Sequence, residues 1–171
     1  MESRVITFDP SHYEEVKTVE KRLLLIVYYS KTGNTKRMAE EIAKGAKKAG
    51  VKVVVKEVEE CSIEDLVKAD GIVIGSPTYF SNVFWQIKKL IDESIALYRG
   101  RKLKNKVGGC FTSAGTRRDG LDCVRMLELA FSLHHQMEML SGLVRASGDD
   151  WKDISRKCQE YGMEIARKMP S

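Results

Sequence analysis

The chain has only four cysteines, three histidines and three prolines in 171 residues, and each scarcity removes a class of chemistry. Cys61, Cys110, Cys123 and Cys158 lie far apart with no C-x-x-C pair, which excludes a zinc ribbon or a compact iron–sulfur cluster and predicts reduced thiols. No apolar run reaches the roughly 18 residues of a membrane span, and the N-terminus lacks a signal-peptide core, so a cytoplasmic protein with no membrane partner is expected. The sequence has neither G-x-x-x-x-G-K-[ST] nor G-x-G-x-x-G, the cradles of a nucleoside triphosphate and of a dinucleotide pyrophosphate. No acid–base pair or nucleophile–base constellation is recognisable.

What is present is a basic chain of one-domain size. Lys and Arg total 29 against 24 Asp and Glu, a net charge of +5 that suits anionic ligands. The basic residues are interleaved with acids, so no nucleic-acid partner is expected. Residues 1–21 differ from the rest and read as an N-terminal extension; residues 22–171 read as the domain. Within it, strands and helices alternate. Apolar runs predict strands at Leu23 to Tyr29, Val51 to Val58, Gly71 to Gly75, Val107 to Thr112 and about Leu140 to Val144. Helical spacing predicts helices at Thr35 to Ala49, Ile63 to Lys68, Val83 to Tyr98, Leu121 to Met137 and Trp151 to Lys168. This alternation predicts a five-stranded parallel sheet covered on both faces, a three-layer α/β sandwich.

Ligands of such sheets sit beyond the carboxyl ends of the strands, which directs attention to three loops. Ser30, Lys31, Thr32, Gly33, Asn34 and Thr35 link the first strand to a helix, a hydroxyl-rich turn whose free amides and helix dipole suit one terminal phosphomonoester. After the third strand, Pro77, Thr78, Tyr79 and Phe80 offer aromatic surface, with Asn82 positioned to cap the next helix. After the fourth, Ser113, Ala114, Gly115, Thr116 and Arg117 form a short-chain turn that allows close approach of a ligand. Together the three read as a pocket for flavin mononucleotide (FMN). Trp85, beside Phe84, reads as core or as part of a subunit interface.

Tyr28-Tyr29-Ser30-x-x-Gly33, Gly75-x-Pro77-Thr78-x-Phe80-x-Asn82, Gln86-x-Lys88, Asp92, Phe111-x-Ser113-x-Gly115-Thr116 and His134-His135-x-Met137 recur in order in a known family. On these motifs the chain resembles the flavodoxin-like NAD(P)H:quinone oxidoreductases of the tryptophan-repressor-binding-protein type. The resemblance implies a flavodoxin-like fold with strand order 2-1-3-4-5 and non-covalent FMN. It places His135 at the flavin or substrate face and Tyr98 at an aromatic rim. It implies a homodimer or higher assembly and electron transfer from NADH or NADPH to a quinone or similar small acceptor. The alternative is a flavodoxin proper, an electron carrier serving protein partners; the basic charge favours the enzyme. The chain departs from the family in its short segment after the second strand, its early turn after the fifth, and Arg117-Arg118 in a loop that is usually glycine-rich. Those two arginines are candidates for the dinucleotide pyrophosphate, since guanidinium groups match phosphate oxygens.

Overall fold

A computed structural model describes residues 21–170, so the N-terminal extension lies almost wholly outside the described residues. The elements run β1 (Leu23–Tyr28), α1 (Asn34–Lys48), β2 (Lys52–Glu57), α2 (Ile63–Lys68), β3 (Gly71–Tyr79), β4 (Asn82–Val83), α3 (Trp85–Glu93), α4 (Ile95–Tyr98), β5 (Val107–Ala114), α5 (Arg117–Leu129), β6 (Glu138–Met139), β7 (Leu143–Ala146) and α6 (Trp151–Lys168). Parallel pairing orders the sheet β2-β1-β3-β5, with the fifth position shared by β6 against the start of β5 and β7 against its end. The expected order 2-1-3-4-5 is therefore present, its last strand broken in two.

Alternation along β1 explains the layering. Leu24, Ile26 and Tyr28 join Met38, Ile42, Phe111, Cys158 and Ile165 under α1 and α6. Leu25 and Val27 face the other way, onto Leu66, Ile74, Ile87, Cys110, Leu127 and Phe131 under α2, α3 and α5. Helices α1 and α6 cross very closely. A Cβ added to Gly45 would lie 1.9 Å from the Gln159 carbonyl oxygen, and one on Gly162 would lie 2.1 Å from that of Ile42. Only glycine permits this backbone contact.

Several boundaries differ from the pattern in the sequence. Strand β3 runs to Tyr79 because Ser76 and Pro77 keep register with Thr112 and Ser113, after which Thr78 and Tyr79 turn back onto β4. The third helix breaks at Ser94, whose hydroxyl donates to the Ile91 carbonyl at 2.6 Å. The fourth begins at Arg117, because Thr116 caps it, and ends in a π-turn over Ala130–His134. All four cysteines are free thiols. Burial pushes the thiols of Cys61 and Cys158 up, to about 11 and about 12, so neither is a nucleophile at neutral pH.

The break between β6 and β7 leaves Cys110 of β5 without a strand partner on that side. Tyr161 of α6 fills the gap: its buried hydroxyl accepts from Cys110 N–H at 3.1 Å and lies 3.2 Å from the Cys110 carbonyl. A Tyr161→Phe variant strands both groups in the core and is expected to lose about 1–3 kcal/mol of stability. Urea unfolding would read this as a lower midpoint at unchanged slope.

Candidate functional site

The carboxyl ends of β1, β3 and β5 are neighbours in the sheet, so the three loops read from the sequence open on one edge. The first is shaped by Gly33, at φ +92°, a left-handed conformation that favours glycine. Its amide donates to Ser30 Oγ at 3.1 Å, and Asn34 Nδ2 lies 3.4 Å from Thr32 Oγ1. Helix α1 has no side-chain cap and no acid in its first turn, and its first hydrogen bond is Arg37 N–H to the Gly33 carbonyl at 3.0 Å. The amides of Asn34, Thr35 and Lys36 are thus left to an external acceptor. The positive end of the helix dipole behind them favours negative charge at this position.

The second loop is a two-residue hairpin between Tyr79 and Asn82. Phe80 and Ser81 both take left-handed φ, +50° and +59°, positions normally given to glycine or asparagine. Phe80 is fully exposed (102%) and Tyr79 half-buried. Behind the hairpin Tyr29 stacks on Phe84, centroids 4.6 Å apart and planes at 8°, and Tyr79 meets Phe84 edge-on at 5.0 Å. Lys31 places its ammonium 5.7 Å over the Tyr79 ring, joining the first loop to the second.

Buried hydroxyls fasten the second loop to the third. Thr112 Oγ1 donates to the Ser76 carbonyl at 2.6 Å and accepts from Thr78 Oγ1 at 2.7 Å. Ser76 Oγ in turn accepts from Phe84 N–H at 2.8 Å. Thr78 thus turns its hydroxyl inward. Further out, Asp119 takes Ser81 Oγ on one carboxylate oxygen and Thr116 Oγ1 on the other, each at 2.7 Å.

The comparisons with known proteins agree with this arrangement. The family described as Flavodoxin matches residues 26–142, more than half of the chain. The chain belongs to the flavodoxin family. A protein named NAD(P)H dehydrogenase (quinone) 3 from Rhizobium meliloti is 33% identical over 131 residues, 65% of this chain and 62% of that protein. A flavodoxin from Aquifex aeolicus is 39% identical over 93 residues, 54% of this chain and 50% of that one. The chain thus spans between half and two-thirds of the length of these relatives. Among solved structures, a WrbA-like flavodoxin from Agrobacterium tumefaciens superimposes with a TM-score of 0.76 at 27% identity, covering 88% of this chain and all of that one.

Within this flavodoxin fold, two expected site residues sit elsewhere. Helix α5 starts beside the loops and runs away from them. His135 follows its π-turn, and the next residue, Gln136, accepts a hydrogen bond from Asn105 N–H, just before β5 begins. His135 is therefore at the amino end of the sheet, not at the loops of its own chain. Its Nε2 lies 2.8 Å from Ser94 Oγ, and burial, with the His134 charge, lowers its pKa and keeps it neutral. Tyr98 accompanies it, ring centroids 6.4 Å apart, in a separate cavity of about 510 Å³. Arg117 is occupied: Nη2 pairs with Asp149 at 2.6 Å and Nη1 donates to the Val144 carbonyl at 3.3 Å. Arg118 is exposed beside it. Trp85 is 65% exposed, which removes the core reading and leaves that of a subunit interface. Nothing in the sequence marks Asp119 as the clamp between two loops, because its partner Ser81 is 38 residues distant.

The Asp119 clamp is pH-sensitive. The hydroxyls of Thr116 and then Ser81 lower the Asp119 carboxyl below its ordinary value, so the clamp is complete above about pH 4 and is lost as pH falls through the depressed folded value. Asp119→Ala is expected to raise amide hydrogen exchange over residues 79–82 several-fold at neutral pH and to remove its acid dependence.

Proposed function

We propose that the chain is an FMN-dependent oxidoreductase that takes electrons from NADH or NADPH and passes them to a quinone or similar small acceptor. The observation that carries this is the meeting of three loops at one sheet edge, one holding unpartnered helix amides, in a chain whose relatives include proteins named NAD(P)H dehydrogenase (quinone). FMN fits these residues by chemistry. Its phosphate is a terminal monoester, and Ser30 to Thr35 supply hydroxyls and amides for one phosphate with open space at Gly33. Bound there, FMN would supply two-electron exchange with a nicotinamide and onward transfer to an acceptor.

The protein's part is binding and orientation. Pro77 and the Thr78, Tyr79 and Phe80 backbone would border one side of the ring, and Ser113 to Thr116 the other, where a side chain added at Gly115 would meet no atom within 4 Å. The Thr78–Thr112 and Ser81–Asp119 bonds hold these two borders at fixed separation, which is the preorganisation that such a site needs. Arg118 remains for the dinucleotide pyrophosphate, its neighbour being held by Asp149.

The electron-carrier reading rests on relatives of the other name, the Aquifex protein and a Clostridium saccharobutylicum flavodoxin at 35% identity. Anaerobic titration of the FMN-loaded protein separates the two. Bleaching of the flavin band by NADH or NADPH supports the enzyme, and its absence supports the carrier. Arg118→Ala is expected to raise KM for the dinucleotide about 3- to 10-fold at unchanged flavin content.

We also propose association into at least a dimer. Ile95 and Tyr98, 68% and 47% exposed, border the cavity that holds His135, and Leu129 and Leu133 are exposed on the helix beside it. A role for His135 or Tyr98 at the flavin requires a second copy to bring this cavity against the loops. Light scattering is expected to give at least twice the 19.4 kDa chain mass; a monomer at micromolar concentration would remove both roles. No described helix is long and apolar enough to cross a membrane. A cytoplasmic location belongs to the same proposal, because the reaction draws on NADH or NADPH.

A further inference from the structure

Two arginines, one on α1 and one on β7, form no direct ion pair among the described residues. Arg37, in the first turn and a half of α1, holds its guanidinium 4.1 Å from the centroid of the Trp151 ring; Arg145 of β7 holds its own 4.8 Å from the same centroid. Arg145 is partly buried. Its Nη1 reaches Ser113 Oγ at 3.3 Å, but its Nε is buried with no hydrogen-bond partner.

Asp149, Asp150 and Glu41 are each hydrogen-bonded to another group. Asp149 accepts from Arg117 and from Ala146 N–H, and Asp150 caps α6. Glu41, one turn beyond Arg37, is bonded by Lys44 and Gln159. Two permanent cations sharing one indole repel each other, and a partly buried guanidinium with an orphan donor is costly unless an anion offsets it. The stack also joins two of the three loops: Arg37 stands on the helix whose first amides are unpartnered, and Arg145 touches Ser113 of the β5 loop.

We infer that the Arg37–Trp151–Arg145 stack is the cationic support of the phosphate site, supplying the charge that the neutral Ser30 to Thr35 turn lacks. The inference rests on the FMN reading for its ligand. A phosphomonoester carries close to two negative charges at neutral pH, matching two guanidinium groups. The indole holds both side chains in place before the ligand arrives, so less conformational freedom is lost on binding.

The test compares FMN with riboflavin, which lacks the phosphate, by fluorescence titration of flavin-free protein. Arg145→Met is expected to weaken FMN at least about 10-fold and riboflavin less than about 2-fold, and to flatten the salt dependence of FMN binding. The exposed Arg37→Gln is expected to act in the same direction with a smaller effect, and it serves if the Arg145 variant does not fold. Equal weakening of both flavins, or unchanged FMN affinity in the folded variants, would overturn the inference and make the stack a packing device. If the parent binds neither flavin, the FMN reading fails and inorganic phosphate becomes the probe. A rise in thermal midpoint with phosphate in the parent, lost in the variants, sustains the anion site; no rise in the parent overturns it.

Discussion

Parallel pairing of β3 on both sides, to β1 through Gly71–Gly75 and to β5 through Gly71–Pro77, is the constraint from which the site follows. Parallel strands finish at the same edge, so their outgoing loops must share it. Register alone brings loops close without fixing them. The Thr78–Thr112–Ser76 hydroxyls do that, because they are buried where each lost bond would leave a polar group unpaired. Each loop then needs only local chemistry: a glycine at positive φ in the first, a tight hairpin in the second, a threonine cap in the third.

Cavity size does not pick out this edge. A cavity of about 1020 Å³ opens at the other end of the sheet among Lys21, Arg22, Lys52, Lys68, Lys104 and Lys106. Its cations include structural ones. Lys106 donates to the carbonyls of Leu66, Val67 and Ala69 at the C-terminal end of α2, and Arg22 Nη1 donates to the Met169 carbonyl at 2.5 Å. At the loop edge the reverse holds: the first amides of α1 and the Arg145 Nε lack protein acceptors. Unmet hydrogen-bonding capacity, rather than volume, sets this edge apart from the other.

Local signals carried the strands and the three loops in the sequence, since hydrophobic alternation, glycine and hydroxyl residues act within a few positions of one another; the strand order came only with the family resemblance. The signals that failed were those set by tertiary distance. The Ser94 hydroxyl that breaks its helix meets the Ile91 carbonyl locally, but its second partner, His135, lies 41 residues away and nothing in the sequence marks it. The motif around His134-His135 was readable, but its position was not: the direction of α5 carries it to the far end of the sheet. Arg37 and Trp151 each look like ordinary helix-surface residues until the α1–α6 crossing, set by Gly45 and Gly162, brings their elements together.

The hairpin tip shows how strain and function meet at this edge. A phenylalanine at positive φ costs of order 1 kcal/mol or more, and serine beside it adds to that cost. No core contact compensates, since the Phe80 ring is wholly in solvent. What holds the turn is anchorage on either side: Thr78 and Tyr79 paired with Val83 and Asn82, Tyr79 against Phe84, and Ser81 on the Asp119 carboxylate. A turn of Asn-Gly would form the same hairpin without strain but would present no ring. The strained turn therefore holds an exposed aromatic ring at the loop edge. Because its anchors come from two loops, whatever displaces the β5 loop also releases the ring.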